Sequence, residues 1–205
     1  MKSIYGALLC SGLLLAVPSA ANAVVVISSV DLTGPTSNGP VLDPNSFTGV
    51  FISNATASDL SGCPCYRSPF DGTGAAGSPF SSVSGGGTAT YLTVGVANEL
   101  QLLWGSPDVY NTIEFFLANV SQGSFLGTAI IPPVVGTDPQ VGWGNVVFSG
   151  LFDRVVLSSD PSDAFEFANI NPVPIPAALP LFAGGLGLLG WLARRRRQPA
   201  QFVTA

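Results

Sequence analysis

The chain has 205 residues, contains no histidine, and has only 9% charged residues, against about 25% in an average soluble domain. The lack of histidine excludes Ser-His-Asp and Cys-His nucleophile systems, and every metal site that uses imidazole ligands. Paired carboxylates could still hydrolyse glycosides, but nothing in the sequence places two of them at a working distance. We therefore expect a protein that is not an enzyme.

Basic side chains are nearly absent from the middle of the chain. Of seven basic residues, Lys2 lies at the N-terminus and a block of four arginines lies near the C-terminus, which leaves only Arg67 and Arg154 between them. All twelve acidic residues fall between Asp31 and Glu166, so this region carries a charge of about −10, from 2 − 12. Such a body repels phosphate backbones and anionic lipid surfaces, which excludes nucleic acid as a partner.

The first 23 residues have the pattern of a secretory signal peptide. Lys2 supplies a short positive region, residues 7–17 form an apolar core, and Ala21-Asn22-Ala23 is an A-x-A cleavage site. The sequence predicts export through the cytoplasmic membrane and a mature protein that begins at Val24.

The C-terminal tail, residues 171–205, begins with "NPVPIPAALPLFAGGLGLLGWLARRRR". Residues 177–193 carry no charge, and a bilayer span needs about 17 to 25 such residues. The positive block that follows has the character of a stop-transfer signal, and consists of Arg194, Arg195, Arg196 and Arg197. We expect a transmembrane helix at 177–193, with the body outside the cytoplasmic membrane and the C-terminus inside.

This tail resembles the PEP-CTERM class of bacterial sorting domains, in the variant whose motif begins V-P-L-P-A. The matching residues are Val173, Pro174, Ile175, Pro176 and Ala177, with Ile175 in the place of leucine. The resemblance implies recognition by an exosortase, a membrane protease or transpeptidase of Gram-negative bacteria that make exopolysaccharide. It also implies only transient anchoring in the inner membrane, followed by release of the body to the cell surface, the extracellular matrix or a biofilm.

Two other fates of the tail stay open. An X-Pro-X-Pro segment favours extended geometry, which a protease can bind, but an ordinary single-span anchor with an uncut proline linker fits the same residues. Gly184-Gly185 is similar to the Gly-Gly tails that rhomboid-type proteases cut.

The body, residues 24–170, alternates short apolar runs with Gly, Pro, Asn and Ser turns, and no window shows a convincing helical stripe. This pattern predicts a single all-β domain, an antiparallel sandwich or jelly roll, with residues 33–45 and 68–87 as loops. The predicted strands are 24–30, 47–53, 88–96, 99–104, 112–119, 124–131, 143–150, 153–159 and 164–170. The segments "LLWGSPDVYNTIEFF" and "FDRVVLSSDPSDAFEFANI" are similar to body segments of some PEP-CTERM surface proteins.

Cys63 and Cys65 are the only cysteines expected in the mature chain. Because an exported protein meets an oxidising compartment, a disulfide between them is expected. The alternatives are a disulfide link between two copies of the chain, and a role in redox chemistry or metal binding.

Two polar groups in the body are candidate ligand sites. Asp108, Tyr110 and Asn111 in "WGSPDVYN" could contact a sugar, although a hairpin turn with local backbone bonds accounts for the same residues. The second group consists of Asp160, Asp163 and Glu166. Their carboxylates could supply oxygen ligands for Ca²⁺, although a solvated turn accounts for the same residues. No other cofactor is expected.

Together these patterns predict a non-enzymatic envelope or matrix protein that an exosortase processes and that associates with exopolysaccharide. Its expected partners are the export machinery, the exosortase and, transiently, the membrane. A lectin-like carbohydrate-binding module is the first alternative, and a glycan-active enzyme is the second.

Overall fold

A computed structural model describes residues 24–32, 45–57, 66–71, 73–130, 143–175 and 178–196. The predicted signal peptide, with Ala21 and Ala23, and the cysteine pair at 63 and 65 lie outside the described residues; Val24 lies inside them and is exposed. The elements are β1 (Val26–Asp31), β2 (Ser46–Thr48), β3 (Phe51–Ala55), β4 (Phe80–Val83), β5 (Gly87–Gly105), β6 (Asn111–Leu117), β7 (Val120–Leu126), a 3-10 turn (Gly127–Ala129), β8 (Trp143–Ser159), β9 (Phe165–Pro174) and α1 (Ala178–Arg196).

The nine strands form one hydrogen-bonded sheet in which every pairing is antiparallel. The main path runs β3-β4-β9-β5-β8-β6-β7, while β1 pairs with β8 and β2 pairs with β5. This arrangement confirms the prediction of an all-β body.

The two longest strands, β5 and β8, run through both halves of the sheet and pair with different strands in each half. Residues 87–92 of β5 pair with β2 and with residues 154–159 of β8, which in turn pair with β6. Residues 99–105 of β5 pair with β9 and with residues 143–149 of β8, which in turn pair with β1. The register shifts between the two halves, so the strands bend while the sheet stays continuous.

Glycines lie at both bends. Gly95 in β5 has φ +78°, and Gly150 in β8 has φ +147°, which are backbone conformations that other residues rarely adopt. At Gly150 a Cβ atom would also lie 2.7 Å from the Cα of Val25, so the chain can approach only because the side chain is missing. The sequence-based prediction divided β5 at residues 97–98 and β8 at residues 151–152, in each case just after the glycine, whereas the structure keeps each strand continuous.

The main hydrophobic core joins side chains from both halves. Trp104 of β5 stacks on Phe165 of β9 with ring centroids 4.5 Å apart, while Phe115 of β6 packs at 4.9 Å from Phe148 and 5.1 Å from Phe152. Each fully buried side chain of this size contributes roughly 1.5–3 kcal/mol relative to exposure. The core therefore holds the two halves of the bent sheet together.

A second, smaller cluster lies on the other face of β5 and β9. It consists of Phe70, Phe80, Leu103 and Ala168, with Tyr66 and Trp143 packed against it. Because the chain around Phe70 covers this face, β5 is buried on both sides at residues 102–105. This cover also explains why β4 was missed, since its four residues are all buried and show no alternation.

The predicted strand 47–53 is divided at residues 49–50 into β2 and β3, and β7 and β9 also have bounds that differ from the sequence-based prediction. β7 ends at Leu126, where Gly127 begins the 3-10 turn, whereas a strand was predicted through residue 131. β9 continues to Pro174, so the predicted boundary between body and tail, at 170/171, falls inside this strand.

The predicted C-terminal helix is present as α1 and extends into the arginine block. Its uncharged part, Ala178 to Ala193, has 16 residues and includes four glycines, and the helix ends at Arg196. Among the residues that the structure describes, no helix combines the length and apolar character needed to cross a bilayer. This finding differs from the transmembrane span that the sequence predicted.

Candidate functional site

The described part of the proline motif is paired with the body. Val173 lies opposite Glu99, Pro174 lies opposite Ala97, and both belong to β9. The N–H of Ile175 donates a hydrogen bond to the carbonyl oxygen of Val96, at 2.9 Å. The other two motif positions, 176 and 177, lie outside the described residues.

The helix that follows this segment presents large apolar side chains to solvent. Leu181 is 75% exposed, Phe182 is 66% exposed and Trp191 is 55% exposed. Every side chain of α1 that the structure describes is exposed, Arg194 included. Side chains of this kind usually lie in a core, so the described apolar side chains of α1 leave much of their surface uncovered.

The candidate sugar-binding residues form a structural turn between β5 and β6. Asn111 is fully buried; its Oδ1 accepts from the N–H of Asp108 at 3.1 Å, and its N–H donates to the Asp108 carbonyl at 3.1 Å. Its Nδ2 donates to Ser159 Oγ at 3.2 Å and to the Ala164 carbonyl at 3.0 Å. Asn111 is thus satisfied inside the protein.

Tyr110 of the same turn also bonds to the loop before β9. Its hydroxyl donates to the Asp163 carbonyl at 2.8 Å, and its own carbonyl accepts from the N–H of Asp160 at 3.1 Å. The turn therefore fixes the 160–164 loop, which corresponds to the structural alternative considered for "WGSPDVYN".

The three candidate Ca²⁺ ligands lie in different environments. Asp160 is exposed, whereas Oδ1 of Asp163 accepts a hydrogen bond from the N–H of Gly85. Oε1 of the buried Glu166 accepts from the N–H of Arg67 at 2.9 Å. Within the described ranges, no three Cys, Asp or Glu side chains gather as metal ligands.

Glu166 has the most unusual environment of these residues. It is only 2% exposed, and its Oε2 is buried without a hydrogen-bond partner. Burial raises the pKa of the Glu166 carboxyl well above its ordinary value, and the negative charge of Asp108 raises it further. Ser82 lies opposite Glu166 across the β4–β9 pair, and its buried hydroxyl likewise has no hydrogen-bond partner.

The sequence named Glu166 as a candidate ligand but did not predict that its carboxyl is buried, because of the residues beside it. Glu166 alternates with Phe165 and Phe167, whose side chains enter the main core, so the period of two places Glu166 on the outer face. The chain from Arg67 onward covers that face, and a Cβ on Gly105 would lie 2.7 Å from Pro69 and 3.3 Å from Glu166. Local alternation carries no signal of such a cover.

No protein-family model, curated protein or solved structure matches this chain.

Proposed function

We propose that this chain is an exported envelope or extracellular-matrix protein of a Gram-negative bacterium. An exosortase processes it at the C-terminal proline motif, and the body then associates with exopolysaccharide at the cell surface or in a biofilm. The body acts without catalysis. The tail is associated with the membrane only until the protein is processed.

The exposed apolar helix directly after the proline segment carries this proposal. The described leucines and Phe182 on α1 are 42–75% exposed and belong to neither core cluster of the body, so we propose that their apolar surface is covered in a membrane environment met during export. The uncharged sequence from Ala178 ends at Ala193, and the arginine block that begins at Arg194 has the character of a signal that stops translocation.

The body suits a role as a durable exported module. We propose that its bent antiparallel sheet is a β-sandwich of the jelly-roll kind, because one core of aromatic side chains is shared by the two halves. Its excess of acidic residues favours solubility and cation-mediated contact with polysaccharide over contact with anionic lipid.

The proposal is tested by mass spectrometry of the protein isolated from its native host. The expected chain begins at Val24 and lacks α1 and the arginines. A matched strain without the sorting enzyme is expected to keep a chain that extends through Arg197. An intact C-terminus in cells with a working enzyme would leave a simple anchor and refute processing.

Association with polysaccharide needs a separate measurement. The processed protein is expected to co-sediment with the isolated extracellular polysaccharide of its host, and chelation of divalent cations is expected to weaken this. Co-sedimentation equal to that of an unrelated acidic protein would refute the association while leaving the processing intact.

A further inference from the structure

The first three residues of the proline motif belong to the folded body. Val173 and Pro174 form the end of β9, in register with β5, and Ile175 continues this pairing through its hydrogen bond to Val96. An enzyme that approaches the motif therefore meets a paired strand, whereas the sequence predicted an extended segment in the tail, outside the folded body.

Prolines alternate along this strand in a way that fits a sheet edge. Amide groups of an extended strand point to its two sides in turn, so the bond from Ile175 to β5 places the N–H groups of Val173 and Asn171 on the same inner side. The nitrogens of Pro172 and Pro174 then face the outer edge, where a proline is tolerated. Within the described residues, β4 covers that edge of β9 only opposite 165–167.

The partner strand is itself held in place at this point. Val96 follows the bend at Gly95, and the hydroxyl of Thr93 lies 3.1 Å from the Asp153 carbonyl of the neighbouring β8. The acceptor for Ile175 thus lies in a bend that is tied to the next strand. The Ile175 hydrogen bond is therefore made to a part of β5 that is held by the rest of the sheet.

We infer that the pairing of β9 with β5 positions the motif for its processing enzyme and restricts cleavage to the chain beyond Ile175. Proteases commonly hold a substrate as an extended strand through its backbone N–H and C=O groups. On β9 the inner donors face β5 and the outer donors are replaced by proline, so no peptide bond from Asn171 to Ile175 is available without local opening. The inference rests on the proposed function for the identity of the enzyme, whereas the protection itself does not.

The protection is tested with a proline-specific endoprotease that acts on whole proteins, applied to the folded full chain. Bonds after Pro172 and Pro174 are expected to be cut at least about tenfold more slowly than in a synthetic peptide of residues 168–178, because the strand must first open locally. Equal rates in the protein and the peptide would overturn the inference. Residue-resolved hydrogen exchange is expected to show a protected amide at Ile175.

The consequence for processing is tested in the native host. The mature C-terminus is expected to retain Ile175, and a terminus at or before Pro174 would overturn the inference while the proposed function stands. A chain that stays intact through Arg197 would instead defeat the proposed function, and the endoprotease result would still decide whether the strand is protected.

A covalent lock makes the test independent of strand stability. Gln101 and Asn171 are exposed and lie directly opposite each other, upstream of the motif. The Gln101→Cys/Asn171→Cys variant is expected to be processed as well when oxidised as when reduced, because β9 stays paired during cleavage. Loss of processing on oxidation, with recovery on reduction, would show that the enzyme needs β9 released and would refute the inference.

Discussion

The side-chain amide of Asn111, at the start of β6, donates a hydrogen bond to the carbonyl of Ala164, the residue before β9, at 3.0 Å. Three chain segments meet at this side chain, since it also donates to Ser159 at the end of β8 and accepts from the N–H of Asp108. Asn111 therefore ties the end of β8 and the start of β9 to the turn between β5 and β6.

Replacing Asn111 with alanine is expected to lower the free energy of unfolding by about 2–4 kcal/mol, because buried donors and acceptors would lose their partners. Asn111→Asp keeps the shape but loses both donated bonds and buries a charge, so it should be at least as destabilising. Urea unfolding checks both variants. Gln101→Ala, at an exposed position, is the control and should stay within about 0.5 kcal/mol of the parent; an Asn111→Asp variant of parental stability would contradict the assigned role.

Glu166→Gln is expected to change how stability depends on pH. The pKa of Glu166 is raised in the folded state, so between the unfolded pKa of about 4.3 and the folded pKa the native protein holds a proton that the unfolded chain has lost. Stability of the parent falls with rising pH across that window, by at most about 1.4 kcal/mol per pH unit. Glutamine removes this loss, so the variant should gain on the parent as pH rises.

Denaturant titrations at a series of pH values from 4 to 8 measure this difference in stability. This range includes the pH at which the stability of the parent is expected to begin to fall. Ser82→Ala, which alters the same buried site without changing its charge, should follow a curve parallel to that of the parent. Parallel curves for Glu166→Gln and the parent would show that Glu166 does not titrate differently in the folded state.

Gly127→Ala tests the close approach of the 3-10 turn to the β5–β6 connection. A Cβ atom at this position would lie 2.3 Å from the carbonyl oxygen of Asp108 and 2.4 Å from the carbonyl carbon of Pro107. Because both contacts are backbone, the cost is expected to be about 1–3 kcal/mol or more. Gly74→Ala, where a Cβ meets nothing within 4 Å, is the matched control in thermal unfolding; equal melting temperatures for the two variants would refute the packing described.

The class of the fold could be predicted from local patterns, whereas its bends and covers could not. Alternation at Ile113 and Phe115 correctly indicated a half-buried strand in β6. β5 and β8 were each predicted as two strands, because the continued hydrogen bonding through a bend depends on neighbouring strands. β4 was missed because burial of both its faces removes the alternation on which the prediction rests.

The candidate sites show the same limit. The turn chemistry of Asp108 and Asn111 could be predicted from residue type, because both side chains readily bond to nearby backbone. The bonds from Asn111 to Ser159 and Ala164 cross 48 and 53 residues of sequence, and no local signal encodes them. The segment with alternate prolines at 172 and 174 was predicted to be extended and to belong to the tail, although the same spacing fits a sheet edge.

Two truncated chains test which residues of the C-terminal segment stabilise the body. A chain that ends after Ile175 loses α1, whose described side chains are all exposed, so its body is expected to unfold at nearly the parental denaturant concentration. A chain that ends after Ile170 also loses the pairing of β9 with residues 96–101 of β5 and uncovers Leu100, which is 1% exposed. The lost backbone bonds and buried area are expected to cost about 2–4 kcal/mol. Circular dichroism during urea unfolding measures both variants. If the two truncated chains were equally stable, residues 171–175 would contribute nothing to the body, and the motif would be an independent linker after all.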